Sequence, residues 1–162
     1  MTQIVTIMVG LPGSGKTKYL QAMNALTYEH GVNEPDTTIY FDDFHGSALD
    51  NSSAFFKSKH YQNLSLALAG GRDCILSDVA YCCPERLRQA VEGLENLAGQ
   101  TKRTINVKFI FFRNDPERCK ANTRRRFEQD RQRNISEEIR LIESLSSVYS
   151  PPNDALPVFR PD

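Results

Sequence analysis

The chain of 162 residues predicts an α/β fold, a parallel sheet of four to five strands with helices on both faces, built as one domain over residues 1–162. Two observations point there. Short runs rich in β-branched and aromatic residues alternate with longer segments in which apolar residues recur at helical spacing. Hydrophobic residues at 40% and charged residues at 25% are ordinary for a globular chain of this size, which buries one core without disulfides or structural metal.

Ile4 to Val9 reads as a buried first strand, and the run K-Y-L-Q-A-M-N-A-L after Thr17 as a helix. A polar loop around G-V-N-E-P-D leads to a second strand, Thr37 to Phe41. Asp50 to Ala69 reads as a helix with Phe55, Phe56, Leu64, Leu66 and Leu68 as apolar candidates, stopped by Gly70 and Gly71. Cys74, Ile75 and Leu76 form the heart of a third strand ending at Ser77 and Asp78. Pro84 opens a helix carrying Leu87, Val91, Leu94 and Leu97. Thr104 to Phe112 is the strongest strand pattern, and Asp115 caps a helix beginning at Pro116. A last helix runs from about Ser136 toward Val148. The proline-rich tail either sets Val158 and Phe159 on the sheet edge or packs as coil.

Between the first strand and the first helix stands G-L-P-G-S-G-K-T, Gly10 to Thr17. Strand, glycine-rich turn and helix make this a phosphate-binding loop in its proper context, and with it the α/β pattern becomes a P-loop NTPase fold. Gly10, Gly13 and Gly15 allow a backbone that side chains would obstruct. With Pro12 and Ser14 they shape a cradle of amides at a helix N-terminus, where an anion is favoured. Lys16 can reach the β- and γ-phosphates, and Thr17 can offer its hydroxyl to magnesium. The expected ligands are ATP and Mg²⁺.

Other chemistries find no support. Cys74, Cys82, Cys83 and Cys119 contain no C-x-x-C pair, and His30, His45 and His60 lack metal-ligand spacing. The first residues lack a basic start, and their apolar run is short for a signal peptide or a membrane span. A cytoplasmic protein with free thiols and no membrane partner is expected. Net charge is zero but unevenly spread: residues 1–100 carry seven basic and eleven acidic side chains, and residues 101–140 carry twelve and six. Such a cluster suits phosphates of a nucleotide or of a nucleic acid, or simply a solvated helix.

In parallel sheets of this class, ligands bind beyond the carboxyl ends of the strands. The loop, Asp42 and Asp43, Asp78, and Arg113 to Asp115 should therefore gather on one edge. Asp42 is the candidate carboxylate to take a proton from an attacking hydroxyl, with Asp43 turned away. Asp78 is the candidate support for magnesium, alongside Thr17, with a turn cap as the alternative. Among Arg124, Arg125, Arg126, Arg131 and Arg133, one or two should meet the phosphates, since neighbours on a helix diverge. His45 is either a substrate contact or an exposed loop residue.

On these residues the chain resembles the P-loop kinases of the adenylate-kinase-like group, and most closely the kinase domain of phage polynucleotide 5′-kinases. The blocks that carry the likeness are G-L-P-G-S-G-K-T, D-D-F, I-L-S-D-V-A-Y-C-C-P-E-R, and the segment ending R-R-R. The resemblance implies that Asp42 is the general base, that the segment around Asp78 helps bind the acceptor, and that Arg126 is the lid arginine within an arginine-rich lid near 124–134. The chain departs from that pattern at Phe41 and His45, where arginines are frequent, and at Asn122 and Thr123, where an R-N pair is usual. It also has a longer segment from Phe127 to Asn134.

The leading expectation is an ATP-dependent kinase with Lys16, Asp42 and Arg126 as its catalytic set. Its acceptor is a hydroxyl, most readily a single-stranded nucleic-acid 5′-hydroxyl. The alternatives are a small-molecule kinase acting on a nucleoside or sugar, a toxin-type kinase of a sugar nucleotide, and a non-kinase ATP-binding switch module. A switch needs a water-positioning residue but no acid pair on the acceptor side.

Overall fold

The computed structural model describes residues 2–42, 44 and 60–161. Five parallel strands form one sheet in the order β2-β3-β4-β1-β5. They are β1 (Thr2–Val9), β2 (Leu26–Thr27), β3 (Ile39–Phe41), β4 (Cys74–Ser77) and β5 (Thr104–Phe111). The described helices are α1 (Lys16–Ala22), α2 (Tyr28–Gly31), α3 (Tyr61–Ala69), α4 (Pro84–Thr101), α5 (Pro116–Gln129) and α6 (Ile135–Ser146). A single 3₁₀ turn, Val79–Cys82, links β4 to α4.

β1 lies inside the sheet. It pairs with β4 from Val5↔Cys74 to Met8↔Ser77, and with β5 from Thr2↔Thr104 to Val9↔Phe111. Its unbroken apolar run follows from burial on both faces. Val5, Ile7 and Val9 enter the larger core with Leu64, Leu68, Leu94, Leu97, Ile142 and Leu145 of α3, α4 and α6. Met8 faces the other way, onto Leu20 of α1, Ala25, Ile75 and Phe112. Helices thus cover both faces, as the alternating pattern predicts.

The details depart from the sequence reading at several points. α1 stops at Ala22, short of the expected helix that runs on to Leu26, and Leu26–Thr27 instead adds a short strand on the edge beside β3. Its two residues are too few for any periodicity to register. The third helix is described from Tyr61 to Ala69. Asp50 to Lys59, with Phe55 and Phe56, lies outside the described residues, as do Asp43 and His45. β5, the most hydrophobic strand pattern, is an edge strand. Its alternation T-I-N-V-K is the signature of half-burial: Thr104, Asn106 and Lys108 are exposed, while Ile105 and Val107 pack on the core. In the tail it is Leu156, not Val158 or Phe159, that bridges the sheet, pairing with Phe112.

Side-chain bonds tie the sheet ends together. Tyr149 donates its hydroxyl to the Val9 and Phe112 carbonyls, just beneath the loop. Asn114 donates to the carbonyls of Ser146 (2.9 Å) and Tyr149 (3.0 Å) and accepts from the Ser146 hydroxyl. The Arg72 guanidinium donates to the carbonyls of Gly31, Glu34 and Thr37, which fixes the polar loop before β3. The Tyr149 and Asn114 bonds hold the carboxyl edge of the sheet, where the cleft stands, and the Arg72 bonds hold the amino edge of β3 and β4.

Candidate active site

The loop between β1 and α1 is held by backbone geometry. Gly13 has φ +84° and Gly15 has φ +106°, values that a side chain disfavours. A Cβ on Gly13 would stand 2.6 Å from the Cys119 carbonyl, and one on Gly15 would stand 2.6 Å from Cβ of Phe159. The loop is therefore pressed from below by α5 and from the side by the tail. Asn122 of α5 joins the three, its amide donating to the carbonyls of Gly13 and Phe159, both at 2.8 Å. The Phe159 amide in turn donates to the Ser14 carbonyl at 3.0 Å.

Lys16 folds back over this loop. Its ammonium donates to the carbonyls of Gly10 at 2.8 Å and Leu11 at 3.1 Å. Burial lowers its pKa from the ordinary lysine value, and the nearby carboxylates of Asp42 and Asp78 work in the opposite direction. The ammonium is thus part-buried at the cleft and satisfied by the loop's own carbonyls.

The loop opens into a cleft of about 1410 Å³. Pro12, Gly13, Ser14, Gly15, Lys16 and Thr17 line one side, and Asp42 and Val79 stand at the ends of β3 and β4. The far wall comes from α5, α6 and the connection between them, with Arg125, Arg126, Arg133 and Arg140. Phe44 sets Asp42 in place. Its ring is fully buried, edge-on to Phe41 at 5.9 Å, and its amide donates to the Ser77 carbonyl at 3.1 Å. The D-D-F block thus pairs an exposed acid with an anchoring aromatic.

Asp78 takes a different position. Its carboxylate is buried, 2% exposed, and Oδ1 accepts from the Ala80 amide at 2.8 Å, capping the 3₁₀ turn. It acts on Lys16 through the interior, and it is not among the residues lining the cleft. Thr17, by contrast, is exposed in the cleft. Among the described residues no group of three or more His, Cys, Asp or Glu could enclose a metal ion.

The arginines separate by turn of helix. α5 continues through Gln129, so the segment expected as a lid is helix for half its length. Arg126 is half-buried in the cleft, and burial together with the charge of Arg133 lowers its pKa. Arg125, expected to point elsewhere, also lines the cleft, whereas Arg124 is exposed and lies off it. Arg131 stacks over the Phe127 ring at 4.9 Å. Sequence reasoning missed Asn122, Arg140 and Phe159 as parts of this cleft. Each owes its place to packing between distant segments, which leaves no local signal in the sequence.

A family model described as an AAA domain matches residues 5–151. An uncharacterized protein of Acanthamoeba polyphaga mimivirus is 28% identical over 149 residues, covering 92% of this chain and 88% of the relative. The sheet, the loop and the match together establish a P-loop NTPase fold with a nucleotide-binding loop. No described helix is long and apolar enough to cross a membrane.

Proposed function

Because the chain belongs to the AAA domain family, whose P-loop fold it carries, we propose that it is an ATP-dependent kinase that transfers the γ-phosphate to a hydroxyl, with a nucleic-acid 5′-hydroxyl as the leading acceptor. The observation that carries this reading is the presence of Asp42 in the same cleft as the phosphate loop. A hydrolytic switch does not require an acid on the acceptor side, whereas an acceptor hydroxyl benefits from a carboxylate that orients it and takes its proton.

In the proposed reaction the acceptor oxygen forms a bond to the γ-phosphorus as the bond to the β–γ bridging oxygen breaks. ADP departs and the acceptor proton passes to Asp42. The loop amides and Lys16 stabilise charge on the β- and γ-phosphates, and Arg126 meets the charge that spreads over the transferring group. Bound magnesium would neutralise phosphate charge; Thr17 would hold it directly, with Asp78 supporting from beneath. The far wall excludes water as it closes.

A small-molecule acceptor is the second reading. It is favoured by Glu137 and Glu138, whose carboxylates line the cleft beside the arginines and would repel a polyanion. A screen with γ-labelled ATP against pooled oligonucleotides, nucleosides and sugars tests both. A labelled oligonucleotide supports the leading reading and a labelled small alcohol the second. ATP turnover that ignores every acceptor would overturn the kinase assignment.

A further inference from the structure

Beside Arg126 the cleft holds a second half-buried guanidinium with an acidic neighbour. Arg133 lies in the connection between α5 and α6, and one of its Nη atoms donates to Glu138 Oε1 at 2.5 Å. The pair is 34% and 23% exposed, and both members line the cleft opposite the phosphate loop. The two guanidiniums lie within electrostatic reach of each other, since the charge of Arg133 depresses the pKa of Arg126.

Their hydrogen bonding is incomplete. Nε of Arg126 and Nε of Arg133 are buried without a hydrogen-bond partner among the described residues, and so is Oε2 of Glu138. The bond from Arg126 Nη2 to Thr123 Oγ1 spans 3.5 Å, the limit for such a contact. Two neighbouring cations that repel one another and keep unpaired donors in one cleft call for an anion. Glu138 offsets one of the two charges: it hydrogen-bonds Arg133, and its field also reaches Arg126.

We propose that Arg133 is a second triphosphate-binding cation and that Glu138 competes with the ligand's phosphates for it. The proposal rests on the reading of this cleft as an ATP site. An arginine presents five donors in a planar fork, so phosphate oxygens can replace the Glu138 carboxylate as its partner when the side chain turns toward the loop. Glu138 sits in the first turn of α6, where the helix N-terminus favours a negative charge, next to the cap in which Asn134 accepts from the Glu137 amide. Giving up Arg133 still removes its hydrogen-bonded partner, and that cost opposes ATP binding.

Titration calorimetry with MgATP and no acceptor, on the wild type, R133A, R133K, E138Q and R133A/E138Q, tests this. R133A should weaken ATP binding about tenfold, and R133K should recover only part of it, having no fork. E138Q should tighten binding by about two- to fivefold, the scale of a partly exposed ion pair. That gain should vanish in the R133A background. An equal gain in both backgrounds would mean that Glu138 acts only by its field and would overturn the competition. Unchanged affinity in R133A overturns the role of Arg133 while leaving the ATP site standing. A wild type that binds no MgATP overturns the ATP reading and this proposal with it. Should R133A fail to fold by circular dichroism, R133K and E138Q decide: unchanged affinity in R133K, or weaker binding in E138Q, overturns the proposal.

Discussion

The two walls of the cleft are built by opposite means. The phosphate loop is set by backbone: two positive φ angles, a Cys119 carbonyl where a Gly13 side chain would go, and a buried strand running into it. The facing wall is set by long side chains, with Arg133 on Glu138 and Arg126 reaching weakly to Thr123. A backbone cradle has one geometry and resists a side chain at Gly13 or Gly15. A wall of arginines has many geometries of similar energy and can exchange partners as a ligand arrives. Binding is thus assigned to the rigid side and adaptation to the soft one.

The sharpest test of that contrast is Lys16→Ala. It removes the cation on the rigid side, and phosphoryl transfer should fall by about 10³-fold or more. Far-UV circular dichroism should stay native. Turnover near wild type in a folded variant would sink the assignment. Asp42→Asn keeps the shape of the group but takes away its basicity. Acceptor phosphorylation should drop roughly 10²–10³-fold while ATP binding, read by calorimetry, holds. If transfer survives, the proton goes elsewhere, and Asp43 is the next residue to change.

On the soft side, Arg126→Ala should lower kcat on the order of 10² and raise the KM for ATP far less, because its contacts are realised mainly in the transition state. An equal change in both constants would make Arg126 an ordinary binding residue. Gly13→Ala shifts the question to stability. A positive φ with a blocking carbonyl should cost about 1–3 kcal/mol, seen as a lowered denaturation midpoint. An unchanged midpoint would mean that the cradle is softer than its geometry implies. Arg124→Ala and Arg125→Ala give the smallest effects and differ from each other. With an oligonucleotide acceptor, losing Arg125 should flatten the salt dependence of KM by about one contact, and losing Arg124, which lies off the cleft, should not. Identical salt slopes would remove nucleic acid from this surface.

The sequence was most readable where local rules decide structure. G-L-P-G-S-G-K-T announces its own geometry, Pro84 and Pro116 mark helix starts, and Asp115 caps α5 by accepting from the Arg118 amide. It was least readable where distant segments meet. Nothing around Asn122 or Phe159 says that one amide will join the two to Gly13, since residues more than a hundred positions apart leave no common period. Asp78 shows an intermediate case. Its position at the end of a buried strand was legible, and the turn cap it makes with Ala80 was one of the two roles its sequence position offered, but the choice between them depends on the 3₁₀ turn that follows. The arginines were legible as a charge cluster, though which of them enter the cleft is decided by helical phase against neighbours, and Arg125 and Arg126 both do.

The interior place of β1 has a consequence for how the molecule comes into being. Its partners, β4 and β5, lie far along the chain, so the strand that carries the phosphate loop finds no local neighbour to dock on. Closing such long loops is entropically unfavourable before any contact rewards it, which slows folding. A peptide spanning only β1, the loop and α1 would contain the whole motif and still be unable to grip a phosphate, because the surfaces that press the loop into shape are Cys119 and Phe159. The binding loop is an early passage of the chain but a late product of folding, so nucleotide protection in a refolding experiment should emerge only with the final, slowest phase.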